Sequence, residues 1–252
     1  MVYPDLSNFK RLSEKGNLIP VYREILADTE TPVSAFLKLG GSPAFLLESV
    51  EGGEKWARYS FLGSRPSKVI RGWGKKVDIR EEGRETLVFD SDDPIEVLKN
   101  EISKYQPVEV NGLPRFFGGL VGYIGYDMVR FFERVPDKHK KGLDFPDMFF
   151  MLTDTMLIFD SLKQKIKVVS NAHLDHKGAE VAYRDAERKI EEIIERLRRP
   201  LSRNFHSPAA SREPYAATAN SKSSPEEFTS SFGSKATFKN AVSKTKEFVM
   251  SG

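Results

Sequence analysis

The sequence predicts an α+β fold in which helices lie on one side of a largely antiparallel sheet. Between residues 179 and 199 the apolar positions recur at steps of three and four, which is typical of an amphipathic helix. Short apolar runs joined by turn residues fill the middle of the chain and predict strands. With 252 residues, 39% of them hydrophobic, the chain can bury a substantial core. We expect residues 1–200 to form one domain of this class.

The first elements alternate between helix and strand signals. Residues 18–26 and 32–39 are predicted to be short helices, the second opened by Thr31 ahead of Pro32. The compact apolar run over residues 43–50 ends in polar residues and predicts a buried strand.

A hairpin and a capped helix follow. Residues 76–80 and 85–89 are strand-like and flank a turn in which Gly83 can supply a positive φ, which indicates antiparallel pairing. Asp93 and Pro94 then predict the N-cap and first residue of a helix that ends before Pro107.

The remaining segments complete the sheet and add two helices. Residues 116–126 are rich in glycine and aromatic residues, and residues 148–159 are predicted to form one apolar strand. A turn near residues 160–164 leads into a strand at 165–170. The helix over 179–199 carries acid-to-base pairs at i,i+4, among them Asp185 with Lys189.

The last fifth of the chain has a different composition. Residues 201–235 collect serine and proline and predict a linker. Residues 236–252 again show an apolar helical stripe, which we expect to begin a helix leading into a further packed region.

Composition excludes several classes of function. A net charge of +3 with acids interleaved among the bases does not favour nucleic acid as a partner. The absence of cysteine excludes disulfides, thiolate nucleophiles and cysteine-ligated metals, and it is consistent with a reducing cytoplasm. No segment is long and apolar enough to suggest secretion or membrane insertion, so we expect a cytoplasmic protein.

Two motifs are better explained by structure than by ligands. Gly118, Gly119, Gly122 and Gly125 match neither dinucleotide-binding nor phosphate-loop spacing, and glycines within a strand mark close backbone approach. The residues from His173 to His176 lack a third ligand pattern, so we predict a solvated turn and no metal site.

The most informative polar cluster combines Glu48 and Ser49 with Arg58, Tyr59 and Ser60. A carboxylate, hydroxyls and a guanidinium near one strand end could bind the ammonium and carboxylate of an amino acid. A structural ion pair between the Glu and the Arg is the alternative.

Two long blocks of sequence resemble a known family. Residues 45–63 (FLLESVEGGEKWARYSFLG) and 117–127 (FGGLVGYIGYD) are similar to the two N-terminal blocks of anthranilate synthase component I. Residues 145–147, a strand over residues 154–160 and the final helix over residues 238–252 follow in the order of that family. The resemblance covers most of the chain and implies the N-terminal half of a two-sheet fold.

The resemblance also implies a function. Members of that family convert chorismate and ammonia to anthranilate and pyruvate with Mg²⁺ in the active site, and a glutamine amidotransferase subunit delivers the ammonia. Their catalytic residues and metal ligands lie in a later chorismate-binding region. We therefore expect no catalytic residue, no metal site and no bound cofactor in these 252 residues, and no turnover of chorismate by this chain alone.

The family's N-terminal half contributes to a tryptophan feedback site. Glu48 and Ser49 correspond to residues of that site, and Arg58, Tyr59 and Ser60 would form the neighbouring wall. Because the later region supplies the other wall, we expect the isolated chain to bind L-tryptophan weakly or not at all.

Two alternative functions remain open. The same portion of aminodeoxychorismate synthase component I resembles this chain, although it typically has Asp-Ser where this chain has Glu48-Ser49. Alternatively, the chain is a noncatalytic effector-binding or scaffold module that docks a separately encoded catalytic partner. Its docking face would be the stripe of Phe238, Val242, Phe248 and Val249.

Overall fold

A computed structural model describes residues 1–48, 58–135, 145–174, 178–201 and 233–251. The chain divides into two compact units, Met1–Arg203 and Asn204–Gly252. The first unit contains two sheets, and each pairing between its named strands is antiparallel.

One sheet has six described strands. In spatial order they are β1 (Val2–Tyr3), β2 (Leu18–Leu26), β11 (Lys165–His173), β10 (Thr155–Asp160), β4 (Tyr59–Ser64) and β3 (Ala44–Leu47). The longest register joins β2 to β11 over nine residue pairs, from Leu18 opposite His173 to Leu26 opposite Lys165.

The other sheet has five described strands. In spatial order they are β7 (Leu87–Asp90), β6 (Lys76–Glu81), β5 (Lys68–Trp73), β9 (Met148–Thr153) and β8 (Gly119–Ile124). The hairpin of β6 and β7 matches the prediction, and Gly83 in its turn has a φ of +75°.

The described helices are α1 (Leu6–Leu12), α2 (Pro32–Leu39), α3 (Pro94–Ser103), α4 (Ala179–Arg198) and α5 (Lys235–Ser251), with a 3₁₀ helix at Tyr126–Phe131. Helices α1, α2 and α4 share one core cluster with the six-stranded sheet. Helix α3 packs Leu98 against Ile70 and Val77 of the other sheet. The predicted α+β class is confirmed, and its strands are divided between two sheets.

Capping residues and apolar spacing in the sequence predict α2, α3 and α4 correctly. The Asp93 carboxylate accepts the backbone N–H groups of Ile95 and Glu96 at 3.0 and 3.1 Å, so it caps α3 as predicted. The apolar stripe of α4, including Ala186, Ile190 and Ile194, is buried against the sheet.

The helix predicted over residues 18–26 is wrong, because this segment is strand β2. Its nine-residue pairing with β11 buries Ile19, Val21 and Tyr22 on the two faces of the sheet. Helix propensity is a weak prior, and tertiary pairing of this length overrides it. Pro20 lies where β2 is not paired with β1, a position that tolerates a residue without an N–H group.

The single strand predicted over residues 148–159 is also wrong. The chain changes sheets at Asp154, so β9 pairs with β5 and β8 whereas β10 pairs with β4 and β11. The Asp154 carbonyl accepts the Asn171 N–H at 2.7 Å, and its carboxylate accepts Lys189 Nζ at 2.7 Å. The i,i+4 pair predicted between Asp185 and Lys189 is therefore replaced by a tertiary ion pair.

Only part of the predicted C-terminal structure falls on described residues. Residues 202–232, which contain most of the predicted linker, lie outside the described residues. The final predicted helix is present as α5, while the boundaries 1–200, 201–235 and 236–252 and a further packed region remain predictions. Within the described ranges, no helix could cross a membrane.

Candidate functional site

The predicted cluster centres on an ion pair where β4 begins and β10 ends. These strands pair so that Asp160 lies opposite Tyr59, which brings the preceding Arg58 beside the Asp160 carboxylate. Arg58 donates through Nε to Oδ1 at 3.0 Å and through Nη2 to Oδ2 at 2.7 Å. The Asp160 side chain is only 1% exposed, whereas that of Arg58 is 37% exposed. This is a bidentate pair with one buried and one accessible partner.

The pair keeps the buried carboxylate ionised. The hydrogen bonds from Arg58 lower the pKa of Asp160 below its usual value, against the opposing effect of burial. The backbone N–H of Lys163 adds a further hydrogen bond to Oδ1 at 3.2 Å. Arg58 in turn has a raised pKa, chiefly because it donates to Asp160. The guanidinium therefore stays charged, and its Nη1 makes no hydrogen bond to a described residue.

The other predicted residues do not share one face. The guanidinium of Arg58 lies 4.8 Å from the centre of the Tyr59 ring, a cation–π contact. Tyr59 and Phe61 belong to the aromatic cluster on one face of the sheet, whereas Leu62 packs into the helix-covered core. Side chains alternate along a strand, so Ser60 shares the Leu62 face and is buried.

The remaining two predicted residues follow β3. Glu48 comes directly after the strand and is exposed. Ser49 lies outside the described residues. The structure thus brings Arg58 and Tyr59 together at an accessible surface, while Ser60 faces the opposite side of the sheet.

A cavity of about 620 Å³ in the first unit lies elsewhere and was not predicted. Its lining includes residues at the end of β9, in β11, in α4 and in the segment that follows α3. Its apolar wall includes Tyr105, Phe117 and Leu152. A volume of this size is typical of small-molecule sites.

Three of the residues that line this cavity have buried polar atoms without partners. Thr153 Oγ1, Ser170 Oγ and Asn171 Oδ1 accept or donate no hydrogen bond among the described residues. All three residues line the cavity and are at most 5% exposed. The Asn171 side chain is oriented by its Nδ2, which donates to the Phe117 carbonyl at 2.8 Å. A buried polar atom without a partner costs about 1–3 kcal/mol. Because Ser170 and Asn171 are neighbours on β11, their side chains lie on opposite faces of the sheet.

Acidic groups dominate the electrostatics near Tyr105. The pKa of Tyr105 is raised to about 12, chiefly by burial and in addition by the charges of Glu101, Glu81 and Asp154. The Tyr105 ring lies 5.0 Å from the His173 ring. The phenol is therefore neutral at physiological pH and available as a hydrogen-bond donor.

Sequence reasoning missed this cavity because its residues come from distant segments. One signal was present: Ser170 and Asn171 are two adjacent polar residues that follow the apolar pair Val168 and Val169 within β11. Another was the pair Gly118 and Gly119, interpreted as a place of close backbone approach. A Cβ on Gly118 would lie 2.3 Å from Asn171 Nδ2, which supports that interpretation.

Comparison with known proteins extends the structural observations. A family model described as chorismate binding enzyme matches residues 42–252. The chain belongs to the chorismate binding enzyme family. Among the described residues of this family member, no three His, Asp or Glu side chains are grouped to hold a metal ion. The described residues therefore do not fit a magnesium site.

Several curated relatives of this chorismate binding enzyme family member share one name. Anthranilate synthase component 1 of Pseudomonas aeruginosa is 39% identical over 251 residues, which cover 97% of this chain and 48% of the relative. The proteins of that name from Aquifex aeolicus and Acetivibrio thermocellus are 42% and 41% identical over 77% of this chain and 39% of each relative. The chain spans about half or less of the length of these relatives.

A solved structure is also similar to part of the chain. Anthranilate synthase component I from Streptococcus pneumoniae is 26% identical and aligns with a TM-score of 0.47. The alignment covers 74% of this chain and 38% of that one.

Proposed function

We propose that the chain is the N-terminal, regulatory part of an anthranilate synthase component I. With the rest of such a protein it would convert chorismate and ammonia to anthranilate and pyruvate in tryptophan biosynthesis. The observation that carries this proposal is the family match over residues 42–252, together with relatives of that name at 39–42% identity.

The partners follow from the same proposal. The chorismate-binding half would supply the catalytic residues and hold Mg²⁺, and a glutamine amidotransferase subunit would deliver the ammonia. This chain would supply no catalytic residue and would be inactive alone. Its contribution would be the response to L-tryptophan.

The geometry around Arg58 supports an amino-acid effector. Two guanidinium nitrogens hold Asp160, while Nη1 is left for a ligand carboxylate. The Tyr59 ring beside Arg58 offers an apolar surface, and the exposed Glu48 is suited to an ammonium group. Ser49 and Ser60 complete the proposed set, although Ser60 would have to act from the opposite face of the sheet.

A chimera tests the proposal directly. The chain is fused to the part of the Pseudomonas aeruginosa relative that follows the aligned region, and anthranilate is measured by its fluorescence with chorismate and ammonium as substrates. We expect anthranilate formation that L-tryptophan inhibits, and none from the chain alone. An active chimera that L-tryptophan does not inhibit would count against the regulatory role.

A matched pair of variants tests the effector site within the chimera. Glu48→Gln should raise the tryptophan concentration for half inhibition by about tenfold, the effect of losing one charge-assisted hydrogen bond. Glu82→Gln changes an exposed glutamate elsewhere and should leave inhibition unchanged. Equal inhibition of both variants and the parent would remove Glu48 from the site.

A further inference from the structure

The first unit has one long strand edge that is unpaired and uncharged. Strand β8 lies at the end of the five-stranded sheet and pairs with β9 alone. Its six residues, GLVGYI, include no charged residue and no proline. Natural edge strands are usually short or carry such residues, because a free edge is a template for pairing with another chain. The other described edge strands are shorter: β1 has two residues, β3 has four, and β7 has four including Asp90.

The pairing pattern shows which backbone groups of β8 lie on its free edge. The Gly125 N–H donates to the Asp147 carbonyl at 2.6 Å, one residue beyond the last β8–β9 pair. In an antiparallel ladder this pattern means that Ile124, at that last pair, directs its own N–H and C=O away from β9. Gly122 and Leu120 do the same, because the direction alternates along the strand. Among the described residues, no hydrogen bond from outside β9 reaches these groups.

A second copy of β8 fits this edge in one register. Two antiparallel copies exchange hydrogen bonds only where their outward groups meet, so a two-fold axis has to pass through a residue position and not between two residues. With the axis at Val121, Leu120 lies opposite Gly122 of the second copy, and Tyr123 lies opposite Gly119 of the second copy. Each large side chain then covers the bare backbone of a glycine. Moving the axis to either neighbouring residue places glycine opposite glycine.

The segments that flank β8 are complementary in the same arrangement. A two-fold axis sets the chain before β8 in one copy beside the chain after β8 in the other. Arg115, before β8, is exposed and forms no ion pair with a described residue. Asp127, after β8, contacts Arg130 at 3.3 Å but remains 65% exposed. Tyr126, which is 89% exposed, adds apolar surface at this end. Opposite charges therefore meet at both ends of the pair, and exposed apolar surface is covered.

We propose that the chain forms a two-fold symmetric dimer in which β8 of one copy pairs with β8 of the other in antiparallel orientation. The axis lies at Val121, and the two five-stranded sheets join into one continuous sheet. This dimer goes beyond the regulatory role proposed above and does not depend on it.

The absence of cysteine from the chain allows a direct test of this register. Val121 lies opposite its own copy in a pair whose Cα atoms are about 4.5 Å apart, a distance that a disulfide spans. Val121→Cys should therefore form a disulfide-linked dimer under mild air oxidation, seen on a non-reducing gel. Tyr123→Cys is the matched control, because the two copies of residue 123 would lie about 13 Å apart, too far for a disulfide. Equal cross-linking of both variants, or none in either, overturns the proposal.

Sedimentation equilibrium of the full chain measures the association itself. We expect the mass to rise with concentration from 28.5 kDa towards twice that value. Ile124→Lys places a charge on the free edge and should weaken association by about tenfold. Leu87→Lys makes the same change on the exposed strand β7 and should leave association unchanged. A chain that stays monomeric up to about 0.5 mM overturns the proposal and leaves the edge to another partner. Equal association of the two lysine variants also overturns it, because the contact then lies elsewhere.

Discussion

Replacing Thr153 by valine should stabilise the chain, although it removes a hydroxyl from the interior. Thr153 is 5% exposed, and its Oγ1 has no hydrogen-bond partner among the described residues. A buried hydroxyl left unpaired costs about 1–3 kcal/mol, and valine has the same shape without that cost. Valine also suits a strand position such as β9. We expect a gain of about 1 kcal/mol, or a rise in Tm of about 2–4 °C.

Urea unfolding of three proteins measures this effect. Thr153→Ser is the control because it keeps the hydroxyl and loses the methyl, which lies 3.2 Å from where a Cβ on Gly63 would be. The serine variant should lose about 1 kcal/mol, while the slope of unfolding free energy against urea stays constant in all three. If the valine variant is less stable than the parent and the serine variant is as stable as the parent, the Thr153 hydroxyl has a hydrogen-bond partner. That result would refute the claim that this hydroxyl is buried without one.

Three further predictions concern charge, backbone contact and capping. Arg58 lowers the pKa of Asp160 in the folded chain, so the stabilisation from this pair is complete above the ordinary aspartate pKa of about 3.9 and is lost as the pH falls through the lower pKa of the folded state. Urea unfolding between roughly pH 3 and 6, a range that includes the ordinary pKa, should show the free energy of unfolding decline toward low pH. The variant Asp160→Asn should show a smaller decline. Gly122→Ala places a Cβ 1.8 Å from the Phe149 carbonyl oxygen and should lower the free energy of unfolding by about 3 kcal/mol, whereas wild-type stability would disprove the close approach. Asp93→Ala should cost about 1 kcal/mol in thermal unfolding, because α3 loses its N-cap, and Asp93→Asn should restore most of it.

Local chemistry accounts for the elements that the sequence predicted well. Asp93 and Pro94 mark the start of α3, and the stripe on α4 marks its buried face, since capping and amphipathic spacing act within a few residues. The hairpin at Gly83 is similarly local. These features need no knowledge of the rest of the chain.

The errors arise where distant segments decide the structure. Residues 18–26 become a strand because β11, about 150 residues later in sequence, pairs with all nine of them. The apolar run over residues 148–159 divides at Asp154 because its first part pairs in the five-stranded sheet and its second part pairs in the six-stranded sheet. Apolar content alone does not show which sheet a residue joins.

The geometry of the predicted cluster could not be derived from the sequence. Arg58 was expected beside Glu48, yet the buried Asp160 holds it, and this partner lies 102 residues away in sequence. The cavity beside Asn171 is lined by segments that lie far apart in sequence, so no local pattern could reveal it. Side-chain partners across a sheet follow from register, which the sequence specifies only through the whole fold.

The central claim, that this chain is the regulatory part of an anthranilate synthase component I, is tested most directly by the chimera with the Pseudomonas aeruginosa relative. The decisive quantity is the rate of anthranilate formation from chorismate and ammonium, with and without L-tryptophan. We expect the chimera to form anthranilate at a measurable rate that L-tryptophan suppresses, and we expect no anthranilate from the chain alone. Anthranilate formation by the isolated chain, or a folded and active chimera that tryptophan does not inhibit, would contradict it.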